Sequence, residues 1–521
     1  MDFEMPKLRR DEKLALGLRA LYEAAGYGLY RMGSFEEYDL YMQNKPFLMG
    51  EEIITFTAAD GRLMALRPDV TLSIVKNTPP GAKRKVCYNE NVFRREKNSG
   101  EYREISQMGL EYIGGRRKAA EQEVLRLATQ SIEAMGGGVL DISHMAVVQA
   151  LLQPIKQQAV RADAMAALRD KSPHRMRELL QRAGLKPSVG EKMVALMELA
   201  GPWQTALPAA RAQLPQRGRA QKALDEIEAL CVALEAPGMQ TQLRLDFSIA
   251  NDVNYYNGLI FQGFVHGVPG VVLSGGRYDL LLQRLEKPQG AVGFAVYLNA
   301  LEMGGASAKA SAPACQWLNV ALPKGRLGEQ VYGLFEKAGL SAGLALNEGR
   351  KLVFEDTKNR LRFFLVKPSD VAIYVERGAA DIGVVGRDVL LESEADVMEL
   401  LDLELGKCRM AVAGQRGSTE DLTRPLRVAT KYPAVTRAYY AAKSRPVEII
   451  KLHGSIELAP LLGLSDVIVD IVETGTTLKE NDLEVITEIL NISARLIVNR
   501  ASFRFKEEAV ATLQERLSEV V

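Results

Sequence analysis

The sequence predicts two modules of mixed structure: an α+β module interrupted by a helical insertion, then an α/β module. Three observations carry this. The one clear compositional break in the 521 residues is EMGGASAKASAPACQ at 302–316, where Gly, Ala, Ser and Pro replace any periodic pattern and read as a linker. Before it, strand patterns flank an Ala-, Leu-, Gln- and Arg-rich stretch at about 145–240. After it, strand and helix patterns alternate evenly, the mark of a sheet whose ligands gather at strand ends.

Taken in order, residues 11–26 place Leu14, Leu18 and Leu21 at helical spacing, and the zone from there to about 140 reads as strands and loops. The stretch HRMRELLQRAGLKPSVGEKMVALMELAG typifies the helical insertion. Strand patterns return at 241–301 in QLRLDFS, LIFQGFV and AVGFAVYL. Beyond the linker follow WLNVALP (strand), GEQVYGLFEKAGL (helix), RFFLV (strand), DVAIYVERGA (helix), DIGVVG (strand) and RDVLLE (helix).

Composition narrows the class. A content of 47% hydrophobic and 25% charged residues is ordinary for a globular protein. A net charge of +1 argues against an extended nucleic-acid footprint and leaves small anions open as ligands. Cys87, Cys231, Cys315 and Cys408 form no CxxC pair, so neither a zinc site nor a disulfide framework is indicated, and a reducing cytoplasm fits. The N-terminus carries early acids and no long apolar core, unlike a signal peptide. No apolar run reaches the roughly 18 residues of a membrane span. No metal-ligand spacing links His144, His174, His266 and His453.

Two stretches of the second module carry chemistry. ALPKGRLGE sets Lys324, Gly325 and Arg326 between an apolar strand and an amphipathic helix, where backbone N–H groups and the helix dipole favour phosphate. A tight turn with solvated charges is the alternative. Arg350 and Lys367 add cations that matter only as part of a set. VIVDIVETGTT runs a strand into hydroxyls and backbone N–H groups at Thr474, Gly475, Thr476 and Thr477, which suits a phosphate monoester. In a regular strand Asp470 and Glu473 fall on opposite faces. Either the chain bends near Glu473 or the two acids do different jobs. Carboxylates beside a phosphate make sense for a sugar phosphate whose hydroxyls donate to them; a strand followed by an Asx/Thr turn is the bland reading.

From about 318 to 505 the chain resembles the short-form catalytic subunit of ATP phosphoribosyltransferase, through ALPKGRL, YVERGAADIGVVGRDVLLE, ELLDLELGKCRMAVAG, RVATKYP, KLHGSIELAPLLGLSD, DIVETGTTL and SARLIVNR. The resemblance implies two α/β lobes like those of periplasmic binding proteins. It also implies transfer of phosphoribosyl from phosphoribosyl pyrophosphate to N1 of the adenine of ATP, with Mg²⁺ as cofactor, as the committed step of histidine biosynthesis. By it, Asp470, Glu473 and Thr474 to Thr477 hold the sugar phosphate. Lys324 and Arg350 are the catalytic candidates, with Arg326 and Lys367 behind them. Adenine N1 attacks with its own lone pair, so stabilising a cationic sugar and a departing pyrophosphate should dominate over base catalysis.

The first module resembles class II aminoacyl-tRNA synthetases of the histidyl type, through CYNENVFRREKNSGEYREISQMGLEY, SGGRYDLLLQRL, RPDVTLSIVKN and NDVNYYNGLIFQGF. That implies an antiparallel sheet, dimeric in the family, with a histidine pocket of Asp69, Thr71, Arg94, Gln107, Glu111, Tyr255 and Tyr256. Three cations that the family directs at ATP are replaced here. Asn251 stands for an arginine, Glu101 reverses the sign of another, and Asn299 and Ala300 close a motif that normally ends in Glu-Arg. Uncompensated phosphate charge is costly to desolvate, so no adenylate is expected. The chain thus resembles a fusion of a synthetase-like regulatory subunit with the catalytic subunit. The expected ligands are ATP, phosphoribosyl pyrophosphate and histidine, without tRNA or membrane, in a homo-oligomer formed through the synthetase-like module. A bifunctional or degenerate synthetase and a non-catalytic binding protein are the rival readings.

Overall fold

Four sheets, of nine, six, five and three strands, organise the described residues. The computed structural model describes residues 8–48, 53–95, 101–249, 255–302, 317–341, 351–417 and 421–521. Two units divide the chain, 1–314 and 315–521.

The first unit is organised on a nine-stranded sheet in the order Gly28–Leu29, Arg84–Arg95, Tyr102–Ile113, Ala291–Tyr297, Leu273–Arg277, Leu259–Val265, Gly138–His144, Gln242–Asp246, Ala200–Pro202. Antiparallel pairing dominates, but the Gly28 strand pairs parallel with Arg84–Arg95, and Gly138–His144 parallel with Gln242–Asp246. The expected antiparallel sheet is therefore mixed, because the helical insertion acts as the crossover between those two inner strands, and a long crossover permits parallel pairing. A second expectation also fails. The zone before 140 contains the 18-residue helix Arg117–Ala134, whose buried Ala120, Val124, Leu127, Ala128 and Ile132 lie at helical spacing.

Between 145 and 234 run six helices, from Met145–Leu152 to Arg219–Leu234. They share one hydrophobic core with the sheet: Leu168, Met176 and Ile227 belong to the same packed cluster as Phe261 and Phe294.

The second unit holds two mixed sheets, where the alternating pattern suggested an open sheet and the resemblance two α/β lobes. Six strands run Val353–Asp356, Leu361–Val366, Leu318–Pro323, Ile382–Gly386, Ala494–Asn499, Val397–Asp402. Five run Val447–Lys451, Leu426–Thr430, Val467–Val472, Cys408–Gln415, Leu483–Ile492. The chain crosses between these lobes twice, near 403–407 and at Ser493. The crossovers are stitched together where Leu403 N–H donates to Ala494 O and Ala494 N–H to Leu405 O, both at 2.9 Å.

Candidate functional site

In the first unit one cavity of about 220 Å³ is lined by all seven residues singled out from the sequence, Asp69, Thr71, Arg94, Gln107, Glu111, Tyr255 and Tyr256. Strand alternation explains part of the convergence. Gln107 and Glu111 are four residues apart on Tyr102–Ile113 and so share a face. Thr71 begins the Thr71–Lys76 helix, and Arg67, 1% exposed, anchors the approach to it through Gly33 O, Asn91 O and Glu90. Arg94 Nε donates to Pro68 O at 3.0 Å, and Asp69 accepts from Leu72 N–H at 2.7 Å.

Glu111 is the centre of this cavity. Its carboxylate accepts from Thr71 Oγ1 at 2.8 Å and from Tyr278 OH at 2.5 Å. Burial pushes its carboxyl up to about 8, partly opposed by those two bonds, and burial also raises Asp69. Room for the carboxylate comes from Gly293 on the neighbouring strand, where a Cβ would lie 1.8 Å from Glu111 Oε2. Tyr255 and Tyr256 precede Leu259–Val265 and lie outside any strand. Their rings meet edge to face at 4.6 Å, and Tyr255 also contacts Phe47 and Tyr278. Tyr278 was missed by sequence reasoning, although it lies within the SGGRYD motif.

The replaced cations fall as follows. Asn299 Oδ1 accepts from Ser106 N–H at 2.5 Å, Ala300 shares its short helix, and Glu101 is exposed at the start of Tyr102–Ile113. Asn251 lies outside the described residues.

In the second unit the cationic and hydroxyl-rich loops face each other. Lys324 and Arg326 follow Leu318–Pro323, and Lys367 follows the adjacent parallel strand Leu361–Val366. Lys324 N–H donates to Val366 O at 2.8 Å, which brings the two lysines to neighbouring strand ends. Arg350 lies outside the described residues. Across the lobes, Arg326 pairs with Glu473 at 2.8 Å.

The parity question about the two acids has a geometric answer. The strand Val467–Val472 ends before Glu473, and the chain turns through Gly475 at φ +77° into a short helix from Thr476. Asp470 and Glu473 consequently line one cavity of about 270 Å³ with Thr474, Gly475 and Thr477. Thr476 stands beside it, its hydroxyl 3.0 Å from that of Thr474. Burial raises the Asp470 carboxyl, with the Ile471 N–H and Lys431 opposing.

Comparison with known proteins agrees with this division. A histidyl-tRNA synthetase family model matches residues 1–301, more than half of the chain, and an ATP phosphoribosyltransferase model matches 367–519. The ATP phosphoribosyltransferase of Brachyspira hyodysenteriae is 58% identical over 205 residues, 39% of this chain and 100% of that protein. The Clostridioides difficile ATP phosphoribosyltransferase is 52% identical over 200 residues, 38% of this chain and 95% of that one. A solved structure described as an ATP phosphoribosyltransferase regulatory subunit/histidyl-tRNA synthetase from Bacillus halodurans shares the fold at 23% identity and a TM-score of 0.51, covering 65% of this chain and 88% of that one. The chain belongs to the histidyl-tRNA synthetase family over its N-terminal module and to the ATP phosphoribosyltransferase family over its C-terminal module, as a fusion of the two.

Proposed function

We propose that the second module transfers phosphoribosyl from phosphoribosyl pyrophosphate to N1 of the adenine of ATP, the first step of histidine biosynthesis, and that the first module binds histidine and reports it to that reaction. The observation that carries the catalytic half is the 58% identity over the whole length of a named ATP phosphoribosyltransferase. In this reading the hydroxyls and N–H groups of Thr474 to Thr477 take the 5-phosphate, and Asp470 and Glu473 take ribose hydroxyls. Lys324, Arg326 and Lys367, with Arg350, attract the pyrophosphate and the nucleotide phosphates. Lys367 keeps charge without the bidentate fork of an arginine. The two α/β lobes would close over the substrates as those of periplasmic binding proteins do.

Mg²⁺ enters this reading as the counter-ion of the polyphosphate substrates, neutralising the leaving group. Among the described residues no group of three or more His, Cys, Asp or Glu side chains is placed to cage a cation. The acids beside the sugar site, Asp470 and Glu473, fit an ion that arrives with its substrate better than a resident one.

Support for histidine sensing is the convergence of seven expected residues on one cavity around Glu111, while Glu101, Asn299 and Ala300 give ATP no cation. Tyr278 completes the aromatic wall. Absence of adenylate chemistry and of tRNA as a partner belongs to the same reading, as do a homo-oligomer through the first module and a cytoplasmic location. No helix among the described residues is long and apolar enough to cross a membrane.

Two assays test the whole. Pyrophosphate release should require both ATP and phosphoribosyl pyrophosphate and should fall when histidine is added. Histidine-dependent ATP–pyrophosphate exchange should be absent. Exchange without transfer would make the chain a synthetase; neither activity, with histidine still bound, would make it a binding protein.

A further inference from the structure

Two acids outside the machinery above reach from one lobe of the second module to the other. Asp388 and Glu392 lie on the Arg387–Ser393 helix of the six-stranded lobe, four residues apart and hence on one face. Asp388 Oδ2 accepts from Tyr432 OH at 3.0 Å. The Glu392 carboxylate accepts from the backbone N–H of Ala434 at 2.9 Å and of Val435 at 3.2 Å. Those are first-turn donors of the Pro433–Ala442 helix of the five-stranded lobe, which have no acceptor within their own helix.

From there the bonds run to the sugar-phosphate strand. Tyr432 N–H donates to Thr430 Oγ1 at 2.9 Å, and the fully buried Thr430 hydroxyl donates to Val469 O at 2.7 Å, one residue before Asp470. In the other direction the Arg387 helix is tied to the crossover, Arg387 N–H donating to Ser493 O at 3.1 Å. The Arg326–Glu473 bridge between the same lobes is 73% and 58% exposed, and pairs of that kind hold little. Asp388 is 7% exposed.

We propose that Asp388 and Glu392 form an inter-lobe pin that sets the strand carrying Asp470 against the Lys324–Arg326 loop, and are positioning residues for phosphoribosyl transfer. This rests on the proposed function. The exposed bridge is the contact that substrates can displace, while the pin keeps the lobes in register. Its loss leaves the five-stranded lobe's own sugar-phosphate cavity in place, so binding of ribose 5-phosphate, which needs that cavity alone, survives and turnover falls.

The test uses the full chain with Glu392→Ala and Tyr432→Phe. Three quantities are read: kcat, the calorimetric Kd for ribose 5-phosphate, and amide exchange at Ala434 and Val435. Expected are a kcat lower by about tenfold in each variant, a Kd within about twofold, and faster exchange at both amides in Glu392→Ala. Unchanged kcat overturns the proposal, and so does a Kd that rises in step with the loss of kcat, which would mark a local role in one lobe. Exchange is independent of activity: unchanged protection in Glu392→Ala removes the pin even if the wild type makes no product. An inactive wild type with faster exchange in the variant defeats only the functional reading and leaves the pin standing.

Discussion

Glu111 shows how one side chain can join packing and titration. Thr71 and Tyr278 donate to it, and Gly293 leaves it space, yet burial still moves its carboxyl from 4.5 to about 8. A carboxyl raised on folding binds its proton more tightly in the folded chain. Its contribution to stability is therefore complete below the unfolded value and is lost as pH rises through about 8, at about 1.4 kcal/mol for each tenfold gain in proton affinity. Thermal unfolding without histidine should show Tm falling as pH rises from about 5 to about 8, and Glu111→Gln should flatten that fall. An unchanged slope in the variant would mean the carboxyl titrates normally. Glu111 and Gln107 were legible in the sequence because they match positions of the family that the first module resembles; that they share a face came from the strand. Tyr278 was not chosen because one sequence does not say whether a motif tyrosine points inward.

At the level of elements, the DIVETGTT stretch depends on where its strand stops. Alternation alone sets Asp470 and Glu473 on opposite faces. Ending the strand at Val472 and turning at Gly475 brings both to one cavity. Gly475 has φ +77°, a conformation that costs a residue with a Cβ about 1 kcal/mol. Gly475→Ala should lower unfolding free energy by about that amount in urea titration and raise KM for phosphoribosyl pyrophosphate. A variant matching wild type in both would show that the turn adapts freely. The Arg117–Ala134 helix teaches the converse: its stripe was legible, but strand motifs on both sides hid it in a coarse reading. The parallel pairs of the large sheet were not legible, because strand sequence sets faces and spacing but not neighbours.

Across the whole molecule, the proposed histidine sensing and the transfer reaction are bound by reciprocity. If histidine weakens substrate binding, saturating substrates must weaken histidine binding by the same factor. Calorimetric titration of histidine with and without phosphoribosyl pyrophosphate and ATP should give that equality, to be compared with the substrate affinities measured with and without histidine. Factors of one in both directions would mean that inhibition acts on the rate of the chemical step rather than on binding. The sequence by itself determined the two-module organisation, the families and a polar subset of the residues around both cavities, because family motifs are local and their spacing survives in one dimension. Only the tertiary structure decided that the two acids share a cavity, that Tyr278 donates to Glu111, and that Asp388 and Glu392 reach across to Tyr432, Ala434 and Val435. Each depends on which distant strands and helices become neighbours, a property of the packed chain that no local pattern encodes.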